Sequence, residues 1–208
     1  MKSILCYGDS LTWGYNPTDS TRFPPDQRWP GILQEELGAH ARIIEEALNS
    51  RTVATDDFVR TNRNGLAMLP PLLESHAPLD IVVVMLGTND CAPCYGLTAG
   101  EIALGCAGLI RAVKASLAGP GASQPKTVLV APPLLGSLSP EMELFYGGGE
   151  TLSRQLADAY RIIAQSLHCT FLDVGPVAEA SDIDGIHLDP PQQRKLALAV
   201  KEVVEPLL

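Results

Sequence analysis

Basic residues are scarce in this chain. Lys and Arg number 15 against 24 Asp and Glu over 208 residues, a formal net charge of -9 at pH 7. No basic run occurs, and nucleic-acid surfaces need clustered Lys and Arg, so nucleic acid is excluded as a partner. Long apolar runs are missing too. The longest, Ile81–Gly87 and Ile102–Ile110, fall far short of the roughly 20 residues that span a bilayer, so no membrane partner is expected. The first apolar strand begins almost at Met1, which leaves no room for a charged n-region, an apolar h-region and a cleavage site; the chain reads as cytoplasmic. The five cysteines, Cys6, Cys91, Cys94, Cys106 and Cys169, are an odd count spread over apolar and loop contexts, which suits reduced thiols. Cys91-Ala92-Pro93-Cys94 is a lone C-x-x-C with no second pair and no suitably spaced His, which argues against zinc. H-E-x-x-H is absent, so neither a catalytic metal nor a cofactor is expected. The G-x-S-x-G elbow is absent as well, which speaks against the α/β-hydrolase fold.

What is present is an apolar fraction of 46% with 19% charged residues, the balance of a globular protein, in a length that suits one domain over residues 1–208. Apolar runs predict strands at Ile4–Cys6, Arg42–Ala47, Leu79–Leu86, Thr127–Ala131 and Cys169–Asp173. The third is the strongest, a β-branched run suited to a parallel strand buried on both faces. Helical stripes separate these runs. One joins Trp29, Ile32, Leu33 and Leu37; a shorter one, Leu66 to Leu73, is interrupted by Pro70-Pro71. Thr98-Ala99-Gly100-Glu101 reads as a capping box ahead of a stripe from Ile102 to Leu117. Leu152 to Leu167 makes the next helix, and the last opens with Asp189 as N-cap and Pro190 at N1 and runs to Leu207. Asn16–Pro30 and Ser137–Gly149 read as loops, with Gly147-Gly148-Gly149 as a hinge or helix entry. Strands alternating with helices point to an α/β domain with a mostly parallel sheet.

In such a sheet, residues just past the carboxyl ends of the strands share one rim, where ligands bind. Ser10 follows the first strand, Asn49-Ser50 the second, Asn89 the third, and Asp184 and His187 come after the fifth. A serine hydroxyl is a weak nucleophile without a base, and the base needs an orienting partner. Gly8-Asp9-Ser10 alone is an ordinary turn; the agreement of four loops on one rim is what carries the reading. His40, His76 and His168 lie at or near helix ends, where solvent-facing or capping roles are expected.

Gly8-Asp9-Ser10-Leu11, Gly87-Thr88-Asn89-Asp90 and Asp184-Gly185-Ile186-His187 resemble three sequence blocks of the GDSL/SGNH hydrolases, in the family's order and spacing. The longer stretches Gly8–Gly14 and Met85–Asp90 look most like the bacterial arylesterase/acyltransferase branch, and the likeness spans essentially the whole chain. The resemblance implies a flavodoxin-like three-layer sandwich around a mostly parallel five-stranded sheet. It implies Ser10 as nucleophile, His187 as general base and then acid, and Asp184, which has the family's spacing where Asp182 does not, as the group orienting the imidazole. The oxyanion would be held by the Ser10 backbone N–H, the Asn89 amide and a backbone N–H at Ser50, where the family usually has glycine; serine disfavours the positive φ that glycine tolerates. Leu11, Trp13, Tyr15, Thr88 and Ile186 are expected to line an apolar acyl or aryl pocket. Subunits of that branch associate, so a homo-oligomer is expected, with Asn16–Pro30 and Ser137–Gly149 narrowing the entrance. Expected partners are small uncharged esters and alcohols: short-chain aryl or alkyl esters are hydrolysed through an acyl-enzyme, which alcohols also intercept. The alternatives are a lysophospholipase or thioesterase of the same superfamily, and a non-catalytic flavodoxin-like binding module.

Overall fold

Alternation along the central strands decides which side chains enter which layer. In the computed structural model, which describes all 208 residues, strand β1 (Lys2–Gly8) pairs in parallel with β2 (Ala41–Ala47) on one side and β3 (Ile81–Met85) on the other. Strands β4 (Lys126–Ala131) and β5 (Thr170–Asp173) extend the sheet, giving the order β2-β1-β3-β4-β5 with every pair parallel. Leu5, Tyr7, Val82, Val84 and Leu129 pack with buried residues of helices α3 (Gly65–His76), α4 (Ala99–Ala115) and α6 (Glu150–Ser166). Ile4, Cys6, Ile81, Val83, Met85, Val128 and Val130 point the other way, onto α2 (Trp29–Leu37) and α7 (Pro190–Val204). The result is the three-layer, flavodoxin-like α/β architecture expected from the sequence. Each fully buried Val, Leu or Ile contributes about 1.5–3 kcal/mol, so two apolar layers hold the sheet rigid beneath its carboxyl rim. Since β1 sends its successors to opposite sides, the crevice lies between the ends of β1 and β3. No helix is long and apolar enough to cross a membrane.

Several element boundaries differ from the sequence reading, each for a local reason. Helix α3 runs unbroken through Pro70 and Pro71. Both prolines lie on the exposed face, while Leu69 and Leu73 keep the buried face intact. Asn64 caps the helix by accepting from the Ala67 N–H at 3.1 Å. The Ser137–Gly149 stretch holds a helix, α5 (Pro140–Tyr146), capped by Ser139 and followed by Gly149 as the N-cap residue of α6. Seven residues are too few for periodicity to reveal a helix. Ser10–Trp13 likewise forms a single helical turn, α1. The third strand is trimmed to Ile81–Met85, because the Leu79 N–H turns to the Ala118 carbonyl at 2.7 Å. Asp189 occupies the N-cap position of α7 without a side-chain cap bond, and Leu207 falls in a terminal 3-10 turn.

Candidate active site

Strand β1 ends at Gly8, and Asp9 starts α1 by accepting the Leu11 N–H at 2.9 Å, which sets Ser10 at the first helical position above the sheet. The Ser10 hydroxyl meets His187, 177 residues later, with Oγ to Nε2 at 2.9 Å. On the far side of the ring, Nδ1 lies 2.5 Å from Asp184 Oδ2. The other carboxylate oxygen, Oδ1, accepts the N–H groups of Ile186 and His187, both at 2.9 Å. Asp184 and His187 are therefore locked together by the segment that carries them. Gly185 makes this possible: it sits at φ +76, and a Cβ there would come within 2.4 Å of the Ser137 carbonyl oxygen. Burial tends to raise the Asp184 pKa, but the hydrogen bond and charge of His187 and the two backbone N–H groups hold it below the usual carboxylate value. An ionised Asp184 draws the imidazole proton to Nδ1 and leaves the Nε2 lone pair for the Ser10 hydroxyl. Tyr15 covers the ring, its centroid 4.2 Å from that of His187 at an interplanar angle of 31°.

A second set of polar groups follows β2 and β3, joined to the Asp9–Ser10 turn through Asp9. Asn89 opens the turn after β3; its Nδ2 donates to the Arg51 carbonyl at 3.0 Å and reaches Asp9 Oδ2 at 3.3 Å. Its Oδ1 accepts from the Tyr146 hydroxyl at 2.9 Å. Ser50 is found at φ +64, in the left-handed region where glycine is favoured, and its Oγ accepts from the Arg60 guanidinium. Ser10, Asn89, Asp184 and His187 are buried yet each keeps between 5% and 8% of its surface exposed.

The remaining residues singled out by sequence are distributed unevenly. Trp13 and Tyr15 are half-buried near each other, with ring centroids 6.5 Å apart. Leu11 and Ile186 belong to the two apolar layers, on opposite sides of the sheet. Thr88 is buried, with no partner for its hydroxyl. His40 and His168 are exposed, whereas His76 is half-buried and bonded to Glu46 Oε1 at 2.6 Å. Asp182 is exposed and does not touch His187. Sequence reasoning missed three residues. Asp9, a turn former in sequence, caps α1 and contacts Asn89. Arg51 is buried, donates to the Gly8 and Glu46 carbonyls at 3.0 and 2.7 Å, and lies 4.3 Å over the Tyr7 ring. Tyr146 reaches Asn89 from a helix that no sequence signal announced.

A model of the GDSL-like lipase/acylhydrolase family matches residues 6–195. An aryl esterase of M. smegmatis superposes over 100% of both chains with TM-score 0.96 at 40% identity. A carbohydrate acetylesterase family member from Sinorhizobium meliloti gives TM-score 0.94 at 41% identity, over 100% of this chain and 99% of that one. An arylesterase of Vibrio mimicus is 35% identical over 89 residues, a stretch that covers 43% of this chain and only 38% of that protein's length.

Proposed function

The chain belongs to the GDSL-like lipase/acylhydrolase family, with its likeness to the arylesterase branch, and from that premise we propose that it is a serine esterase acting on short-chain aryl or alkyl esters. One observation carries the reading: the unbroken hydrogen-bond chain from Ser10 through His187 to Asp184. Ser10 Oγ attacks the ester carbonyl while Nε2 of His187 takes its proton. The imidazolium is stabilised by Asp184. The carbonyl oxygen, now negative, is held by the Ser10 N–H, an Asn89 N–H and the Ser50 N–H. Collapse of this intermediate breaks the bond to the alcohol oxygen, which receives the proton from His187. A water molecule then attacks the acyl-enzyme by the same route and releases the acid. An alcohol that takes the place of water yields a new ester, and the low exposure of the site favours that competition. Tyr15 over His187, with Trp13 next to it, supports an uncharged aryl or alkyl substrate.

A fluorophosphonate tests the core of this reading. The adduct is expected on Ser10 and is lost with Ser10→Ala; a protein that takes no label there is a binding module and not an esterase. An aryl ester series tests the substrate class, with acetate expected to outrun long acyl chains. The reverse order favours the lysophospholipase or thioesterase reading.

A further inference from the structure

An amide side chain has two nearly isosteric orientations, and a donor role requires one of them. At Asn89 the surroundings decide. Nδ2 donates to the Arg51 carbonyl at 3.0 Å, a group that can only accept, so a flipped amide would set oxygen against oxygen there; the second N–H, a long 3.3 Å from Asp9 Oδ2, is the one that can turn to an oxyanion. Opposite them, the Tyr146 hydroxyl supplies the proton that Oδ1 needs, at 2.9 Å. We propose that Tyr146 is a positioning residue for the oxyanion hole, its hydroxyl fixing the Asn89 amide with Nδ2 on the Asp9–Ser10 side. The inference rests on the reading of Asn89 as an oxyanion donor and adds what keeps that donor aimed. Donation into Oδ1 also polarises the amide and makes its N–H groups stronger donors.

The delivery of Tyr146 is built into the chain. Helix α5 bridges the two flanks of the site: at one end the Ser139 N–H reaches the Asp184 carbonyl at 3.3 Å, and at the other Tyr146 touches Asn89. Behind Tyr146, the Gly149 N–H returns to the Tyr146 carbonyl at 2.7 Å. A Cβ on Gly149 would lie 2.4 Å from the Cys91 carbonyl oxygen, so only glycine lets the chain press against the turn that carries Asn89. Burial, together with the charge of Asp9, pushes the Tyr146 phenol well above its ordinary pKa, and it keeps its proton as a donor.

The test is a double-mutant cycle on an aryl acetate. Tyr146→Phe keeps the ring and removes the bond; kcat is expected to fall about 3- to 20-fold with KM within about twofold. In an Asn89→Ala background the same substitution is expected to cost nothing further, since no amide remains to be aimed. An unchanged kcat in Tyr146→Phe overturns the inference, as does a loss of equal size in both backgrounds. A raised KM at unchanged kcat overturns it too and makes Tyr146 a substrate contact. If Asn89→Ala itself keeps full activity, the oxyanion reading falls, and this inference with it. A slow Asn89→Ala beside a fully active Tyr146→Phe sinks only the inference.

Discussion

The two flanks of Ser10 are built in opposite ways. On one, the proposed acid and base come from four consecutive residues, and Asp184 Oδ1 is closed by the backbone of its own segment. On the other, Asn89 is held by the Arg51 carbonyl, Asp9 and Tyr146, drawn from three separate stretches of chain. The carboxyl groups record the difference. Asp184 is held below the usual carboxylate range, because His187 and two N–H groups outweigh its burial. Asp9 and Asp90, beneath the Asn89 flank, are each pushed up to about 7 because burial outweighs the N–H groups of Leu11 and Val53 that they accept. One flank is a self-contained device that stabilises a charge; the other is a polar cluster held together by the fold at a cost.

The largest effect is expected where the device is broken without disturbing the fold. In Asp184→Asn the side-chain oxygen keeps the Ile186 and His187 N–H bonds, so the segment retains its shape. Its amide nitrogen faces His187 Nδ1, however, and drives the ring proton to Nε2, toward Ser10. Turnover is expected to drop about 10⁴-fold with little change in thermal midpoint. On the other flank the loss of one proposed oxyanion donor, Asn89→Ala, is expected to lower kcat by about 10²–10³. If the two losses came out equal, the contrast between a unit and a set of separable donors would not hold.

The same contrast governs what could be read before the fold was known. Asp184, His187 and Ser10 sit in short blocks whose spacing is local, and the alternation of strands and helices placed those blocks on one rim. The parallel sheet with helices on its faces follows from that alternation, whereas the flavodoxin-like arrangement was implied by the resemblance of the three blocks. Tyr146 was illegible because its helix spans seven residues and its partner lies 57 positions away. Arg51 was illegible for another reason: a buried guanidinium bonded to two main-chain carbonyls leaves no side-chain pattern. Contacts that close within a few residues are written in the sequence; a tertiary contact such as Ser10 to His187 was expected only through the resemblance of the blocks that carry it, and those of Tyr146 and Arg51 had no such block.

A smaller, pH-dependent effect follows from Asp90, whose carboxylate accepts the Val53 N–H at 2.9 and 3.0 Å. Its pKa rises from 3.8 to about 7 in the folded protein. Below 3.8 the group is protonated whether the chain is folded or not, and no penalty arises. Between 3.8 and about 7 it ionises in the unfolded chain alone, so stability is lost as pH rises, and the full penalty stands above about 7. Asp90→Asn keeps an acceptor for Val53 and removes the titration. The variant is expected to match the parent near pH 4 and to melt higher at pH 8, by roughly 2–4 °C for each kcal/mol recovered. A difference that stays flat across this range would put Asp90 on the same footing as Asp184.

The smallest effect is expected at Ser50, where the cost of the second flank is local to one backbone angle. A non-glycine residue at φ +64 carries a penalty on the order of 1 kcal/mol, and glycine removes it while adding freedom to the unfolded chain. The exposed hydrogen bond from Arg60 to Ser50 Oγ is lost as well, and it is worth little. Ser50→Gly is therefore expected to shift stability by less than about 1 kcal/mol and kcat by no more than about threefold, because the N–H stays where it is. Ser50→Val supplies the counter-test, since a β-branched residue is a genuine outlier at positive φ and forces the N–H to turn. Its kcat is expected to fall about tenfold or more if that N–H holds the oxyanion. A valine variant as fast as the parent would remove Ser50 from the site and leave the Asn89 flank with Asn89 as its one donor.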